Sequence, residues 1–339
     1  MAVTLKDIAR ETGLSVATIS KYINGATLKE KNRIAVEQAI RKLDYRVNEY
    51  ARGLKSNRSR TIGVVIPELS NLFIATIISH MEEELRARGY SIVICDCHSK
   101  EKLEVEAVQF LMSKMVDGII NMPSCKDGRH LLPAAEKGIP IVLIDRQIPQ
   151  LHHVTNGVFI KNEDAAYDAT QLLLEQGHRR IGIIVGPCDV YTSQSRLRGY
   201  CRALQDWGIS CDENLIAYSD YSIQSGYECA KALLDGENDM SALFITNYEL
   251  TIGAVIAFNE LQIQIPKELS VIGFDNQDLS RIVHPKLTIV TQPLQEMGHQ
   301  AARIMLEQLA GTTPGIPVTI SLPAAVLPGA SVSAWHEKQ

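Results

Sequence analysis

Lysine and arginine crowd the first 60 residues of this 339-residue sequence: thirteen against six Asp and Glu give +7, while 21 against 33 in the remainder give −12. Cations at that density can replace counterions along a phosphate backbone, a chemistry that the net charge of −5 conceals. Within the basic stretch, Val16, Ile19 and Ile23 recur at helical spacing and point to a core, whereas Ala17, Lys21 and polar neighbours point away and form a candidate reading face. Ser15 is placed to cap that helix. Farther on, Cys95, Asp96, Cys97 and His98 offer metal-ligand atoms. No second ligand pair stands at zinc spacing, so a strand end with small buried thiols is the better reading. Seven cysteines, an odd number scattered through a long chain, fit reduced thiols better than a disulfide framework. The chemistry of an enzyme is missing: there is no G-x-G-x-x-G after the first strand, no phosphate loop, no H-E-x-x-H and no G-x-S-x-G.

The elements that must position these groups follow from periodicity. Thr4 with Asp7 reads as a capping box, and Leu5, Ile8, Ala9 and Thr12 mark one face of a first helix. Gly13 supplies a turn, a second helix covers Val16 to Asn24, and a third near Lys31 to Leu43 buries Val36, Ile40 and Leu43. This is a helix-turn-helix unit. Residues 48–60 are cationic and poor in apolar groups, hence a linker unless something orders them. From Thr61 short apolar strands alternate with amphipathic helices: 62–66, 77–87, 92–94, 104–115, 118–120 and 139–144, then again 165–175, 181–185, 195–206, 243–245, 250–261 and 271–274. Two similar α/β lobes with parallel sheets are implied, and ligands in such folds bind beyond the carboxyl ends of the strands. No apolar run reaches membrane-spanning length and no signal-type stretch follows Met1, so cytoplasmic residence is expected.

Over nearly its whole length the sequence resembles the lac repressor family of bacterial transcription regulators. The resemblance is carried by Lys6-Asp7-Ile8-Ala9, Gly13-Leu14-Ser15, Thr18-Ile19-Ser20, Ile23-Asn24-Gly25, Ala51-Arg52-Gly53-Leu54, Asp117-Gly118-Ile119-Ile120, Gly177-His178-Arg179-Arg180-Ile181 and Val271-Ile272-Gly273-Phe274-Asp275. It implies an α/β protein with a helix-turn-helix head (1–47), a hinge (48–60) and a body like the periplasmic sugar-binding fold. The first lobe would comprise 61–160 and 292–321, the second 161–291 and 322–339, with crossings near 160, 291 and 322. The function implied is sequence-specific transcriptional regulation, most often repression, of a sugar or sugar-acid operon under a small-molecule effector. The partners implied are an inverted-repeat operator in double-stranded DNA, the effector and a second copy of the chain, with no cofactor. A sugar-binding protein without operator function is the alternative, against which the basic head argues.

The same resemblance assigns residues. Val16, Ala17 and Lys21 would face bases, with Lys21 donating to guanine and the other two touching thymine methyls. Lysine lacks the two-pronged fork that many relatives carry there, so discrimination should be weaker. Thr4, Ser15, Thr18, Ser20 and Asn24 would contact phosphates, and Leu54 with Lys55 would enter the central minor groove; the alternative for Leu54 is packing on the lobe below it. Gly53 lowers helix propensity by about 1 kcal/mol, making the hinge more dependent on DNA. The effector cleft would be lined by Asn71, Leu72, Phe73, Lys161, Thr192, Arg196, Tyr221, Asn247, Asp275 and Gln292. Arg196 and Asp275 would clamp hydroxyls, with a structural ion pair as their alternative, and Phe73 and Tyr221 would serve as platforms unless Phe73 is core. Two departures from the family, Lys161 before Asn162 and Tyr248 after Asn247, shift the cleft edge towards positive charge and suggest a sugar acid or sugar phosphate, provided Lys161 faces the pocket. No C-terminal leucine heptad follows the body, so a dimer is expected. Whether the effector induces or corepresses is open.

Overall fold

The computed structural model describes residues 3–23, 26–45, 58–236, 239–275, 277–312 and 315–335. The chain divides into two compact units, Met1–Arg60 and Thr61–Gln339.

In the first unit, α1 (Leu5–Thr12), α2 (Val16–Ile23) and α3 (Glu30–Lys42) surround a small core of Ile8, Ile19, Val36 and Ala39. The backbone N–H and Oγ1 of Thr4 both donate to Asp7 Oδ2, at 2.9 and 2.7 Å, and hold that carboxyl below its usual range. Gly13 ends α1 with a φ of 67°, a left-handed conformation that a side chain would strain. Ser15 Oγ then accepts the Thr18 N–H at 3.1 Å and starts α2. One core assignment is corrected here. Val16 is 40 % exposed, because Ile19, Tyr22 and Ile23 fill the contact with the other helices and leave Val16 beside the exposed Ala17 and Lys21.

The second unit contains two six-stranded sheets. The first has the order β11-β5-β4-β3-β1-β2, with β1 (Thr61–Ile66), β2 (Ser91–Asp96), β3 (Gly118–Asn121), β4 (Ile141–Ile144), β5 (Asn156–Ile160) and β11 (Thr319–Leu322), all parallel. The second has the order β12-β10-β9-β8-β6-β7, with β6 (Ile181–Val185), β7 (Ile216–Tyr218), β8 (Ala242–Ile245), β9 (Ser270–Phe274), β10 (Thr288–Thr291) and an antiparallel β12 (Ala325–Leu327). Strands such as Ile141–Ile144 and Ala242–Ile245 are apolar throughout because helices cover both faces of each sheet. The chain changes sheet after Ile160, after Thr291 and after Leu322. Where two of these connections run side by side, the Lys161 N–H donates to the Leu322 carbonyl at 2.9 Å.

Helices α4 (Leu72–Ala87) and α12 (Leu294–Ala310) pack together on the first sheet, which also carries α5 (Glu101–Ser113) and the short α6 (Leu132–Glu136). On the second lobe α7 (Asn162–Glu175) pairs with α8 (Tyr191–Asp206) and α9 (Ile223–Asp235) with α10 (Tyr248–Glu260), while α11 (Gln277–Ile282) is short. The last of these pairs meets backbone to backbone: a Cβ at Gly253 would lie 2.0 Å from the Ile223 carbonyl oxygen and 2.6 Å from the Tyr227 nitrogen. Gly to Ala in an open helix gains about 1 kcal/mol. At Gly253 the sign reverses, and urea unfolding of Gly253→Ala should show a loss of about 3 kcal/mol as the two helices are forced apart.

The cysteines do not all behave as expected. Cys201, near the end of α8, and Cys211, in the turn that follows, have Cα atoms 5.6 Å apart and form a disulfide, because the chain doubles back after Asp206. Cys95, Cys97, Cys125, Cys188 and Cys229 are free. Cys97 lies buried among apolar neighbours, and that burial pushes its thiol up to about 12. Among the described residues no helix is long and apolar enough to cross a membrane.

Candidate functional site

Helix α2 presents Ser15, Val16, Ala17 and Lys21 on its exposed side, with Thr4 exposed at the start of α1. A lysine ammonium beside two small apolar groups suits the floor of a groove rather than a protein core. The hydroxyls of Ser15 and Thr18 lie 2.8 Å apart and bond each other, so Ser15 already serves as a cap, while Thr18 and Ser20 are half-buried. Asn24, Leu54 and Lys55 lie outside the described residues, as do the core of the hinge, 48–57, and the tail, 336–339.

In the second unit a cavity of about 770 Å³ opens between the lobes, within the roughly 300–1,000 Å³ of small-molecule sites. Its walls are the first residues beyond the strands: Pro67 and Glu68 after β1, Met122 after β3, Asp145 and Arg146 after β4, Pro187 after β6, Asp220 and Tyr221 after β7, Asn247 after β8, Asp275 after β9 and Gln292 after β10. Strand ends supply ligand groups because the sheet fixes them while the loops leave their side chains free to point inward.

Of the cleft residues expected from the sequence, Asn71, Phe73, Thr192, Arg196, Tyr221, Asn247, Asp275 and Gln292 line this cavity. Leu72 and Lys161 do not. Leu72 is 48 % exposed on the first turn of α4, since Asn71 takes the capping position and turns the next side chain outward. Lys161 is exposed at the junction of the inter-lobe connections. Tyr248 is also outside the lining, and the acid that its position lacks stands one residue later as Glu249.

Arg196 is the most firmly held of these groups. Its side chain is nearly fully buried on α8, donating Nε to Asn162 Oδ1 at 2.8 Å and Nη1 to the Thr246 carbonyl at 2.5 Å, and the guanidinium lies 3.9 Å from the Phe274 ring centroid. Asp275 takes its hydrogen bond from Gln292 Nε2 instead of from Arg196. Tyr221 OH reaches Ser193 Oγ at 2.6 Å and Thr192 Oγ1 at 3.1 Å, which turns its ring into one wall. Asn71 accepts the Ile74 N–H and donates across the cleft to Glu249 Oε1 at 2.7 Å, and Lys126 pairs with Asp189 at 2.5 Å, so both contacts tie one lobe to the other.

Electrostatically the cavity is acidic. Among the described residues of the lining, Glu68, Glu101, Asp145, Asp189, Asp220, Glu249 and Asp275 face only Lys126, Arg146 and Arg196. Burial pushes the carboxyls of Asp145 and Glu249 up, and burial together with those two neighbours pushes Asp275 up to about 6 against the pull of Arg196 and Gln292. The condition on which an anion was expected, Lys161 facing the pocket, is not met: that lysine stands outside, and carboxyl groups line the interior. Asp145, Tyr221 and Asp275 also hold left-handed backbone, with φ of 68°, 68° and 78°. Each such residue costs about 1–3 kcal/mol, and strain of this kind concentrates where a ligand must be met.

Comparison with known proteins follows the same division of the chain. Residues 4–48 match a model described as bacterial regulatory proteins, lacI family, and residues 170–332 match a periplasmic binding protein-like domain. Catabolite control protein A of Priestia megaterium is 32 % identical over 311 residues, covering 91 % of this chain and 93 % of that protein. The HTH-type transcriptional repressor CytR of Escherichia coli (strain K12) is 33 % identical over 311 residues, 91 % of each chain. Among solved structures, a transcriptional regulator CelR–cellobiose complex is 30 % identical with a TM-score of 0.73 over 97 % of this chain and 99 % of that one. The lac repressor dimer bound to operator and an anti-inducer reaches a TM-score of 0.88 over 98 % and 100 %, at 24 % identity, a likeness of fold.

Proposed function

This chain belongs to the lacI family of bacterial regulatory proteins and is a DNA-binding transcriptional regulator, not an enzyme, and on that premise we propose that it represses a sugar-utilisation operon and answers to a neutral polyhydroxylated effector held between its lobes. The observation that carries the choice of ligand is the mixture of unsatisfied groups in the cavity. Glu249 Oε2 and Gln292 Oε1 are buried acceptors without a hydrogen bond, and Arg146 Nε is a buried donor without one. A hydroxyl both donates and accepts, so a ring bearing several can meet all three, while Phe73 and Tyr221 cover its apolar face. An anion would add charge to a cavity already rich in carboxyl groups.

The regulatory reading follows from linkage. Asn71–Glu249 and Lys126–Asp189 bridge the lobes, so a ligand that closes the cleft shifts the placement of one lobe against the other. In a homodimer on an inverted repeat, that shift changes how the two hinges meet over the operator centre, with Leu54 and Lys55 in the minor groove and Val16, Ala17 and Lys21 reading bases. Thr4, Ser15, Thr18, Ser20 and Asn24 fix register on the phosphates. Induction is the sign proposed. Calorimetric titration with matched neutral and acidic sugars, alongside operator release, tests the reading: the neutral member should bind and release DNA. Tighter binding of the acidic member would overturn the choice of ligand.

A further inference from the structure

Glu104 stands fully buried near the start of α5, one turn beyond Glu101 and behind the cleft wall rather than in its lining. Its Oε1 accepts Asn121 Nδ2 at 2.8 Å, and its Oε2 accepts the backbone N–H groups of Ser124 and Cys125 at 2.6 and 2.8 Å. Beside it stands His130, whose side chain is 4 % exposed and whose Nε2 lies 3.0 Å from Glu104 Oε1.

That contact is not a hydrogen bond. His130 Nε2 is buried without a hydrogen-bond partner, as are Asn121 Oδ1 and Ser124 Oγ in the same loop. A ring nitrogen and a carboxylate oxygen about 3 Å apart and misaligned for a hydrogen bond suit the edge of a coordination polyhedron, whose bonds to zinc run at about 2.0–2.2 Å. A ring nitrogen of His130, Cys125 Sγ and a carboxylate oxygen of Glu104 all lie within 4.8 Å of one another. We propose that Glu104, Cys125 and His130 form a binding site for zinc or a similar borderline transition-metal ion. Thiolate and imidazole ligands select such an ion over magnesium or calcium. Binding replaces the Cys125 S–H by an S–metal bond and releases that proton to solvent. A water completes the coordination, with Asn121 Oδ1 and Ser124 Oγ as acceptors for its hydrogens. The metal would brace the loop from Met122 to His130, which carries Ser124 and Lys126 of the cleft wall, and so would stiffen the surface that the effector meets.

The test uses the full-length chain, reduced and stripped with a chelator, titrated with Zn²⁺ against a chromogenic competitor and separately with Co²⁺. The expected result is a single equivalent of tightly bound metal, a near-ultraviolet thiolate-to-cobalt band and a higher unfolding temperature with zinc. Cys125→Ser should lose the band and the zinc-dependent stabilisation, and His130→Gln, which keeps the test decisive if the first variant fails to fold, should lose the stabilisation and the tight binding. Cys97→Ser and His98→Gln should retain all three. The proposal fails if the parent chain takes up no stoichiometric metal. It also fails if the band survives in Cys125→Ser, or if metal uptake is lost in His98→Gln, which would place the ion at the more exposed Glu68, Asp96 and His98.

Discussion

Arg196→Met should leave a repressor that holds its operator but no longer releases it at any effector concentration, with urea unfolding showing a loss of about 3 kcal/mol. The methionine keeps the packing of the aliphatic stem on α8 and removes only what the guanidinium does. That is to bond Asn162 Oδ1, to bond the Thr246 carbonyl, to cover the Phe274 ring, and to oppose the charges of Asp145 and Asp275. Asn162 and Thr246 are themselves buried, so their acceptors would be left without partners in an environment that water does not reach. Arg196→Lys should fail nearly as completely, because a point charge cannot serve two acceptors in one plane and stack on a ring at the same time. Operator release titrated with effector, next to unfolding curves for the two variants, measures both effects. A lysine variant with the parent's full response would show that charge alone, and not the fork, holds the site.

The winding of the fold was legible because strands covered on both faces are continuous apolar runs, and Ile181–Val185 or Val271–Phe274 can hardly be anything else. Helix starts were less so. Apolar spacing places the beginnings of α4 and α10 at Ile77 and Leu250, whereas they start at Leu72 and Tyr248. In each case an asparagine in the loop that follows the strand, Asn71 or Asn247, accepts a backbone N–H from the first turn, so the helix begins before its apolar face does. The same principle locates the acids that sequence reasoning missed. Asp145 follows Ile144 at the end of β4, just as Asp275 follows Phe274, and the first polar residue after a buried strand was the available signal. Lys161 carries that signal too, after Ile160, and misleads. There the chain leaves one lobe for the other, and the backbone is engaged with Leu322 while the side chain faces solvent. Nothing in the local pattern announces that the Glu104 carboxylate gathers Asn121, Ser124 and Cys125, or that Cys201 meets Cys211, because both depend on how a loop returns.

Asp275→Asn should make the effector-free protein more stable at pH 7 while weakening its grip on the effector. Burial, helped by Asp145 and Glu249, lifts this carboxyl from 3.8 to about 6 in the folded chain. At about 1.4 kcal/mol per pK unit, keeping it ionised costs the native state about 3 kcal/mol. The folded protein binds this proton more tightly than the unfolded chain does. The contribution to stability is therefore best below about pH 4, declines as the pH rises towards about 6, and stays at its full cost above that. Asparagine removes the charge yet keeps Oδ1, so the bond from Gln292 Nε2 survives and the left-handed backbone at this position is tolerated. Unfolding midpoints measured from pH 4.5 to 8 should place the variant above the parent at neutral pH and bring the two together as the pH falls. Equal stability at pH 7, or a difference that does not shrink in acid, would mean that the carboxylate is compensated in the free protein. If the expected pattern is found together with weaker effector binding, the reason for retaining the acid is plain. A desolvated carboxylate on strained backbone is a cost that the free protein carries and that ligand hydroxyls offset when the cleft fills.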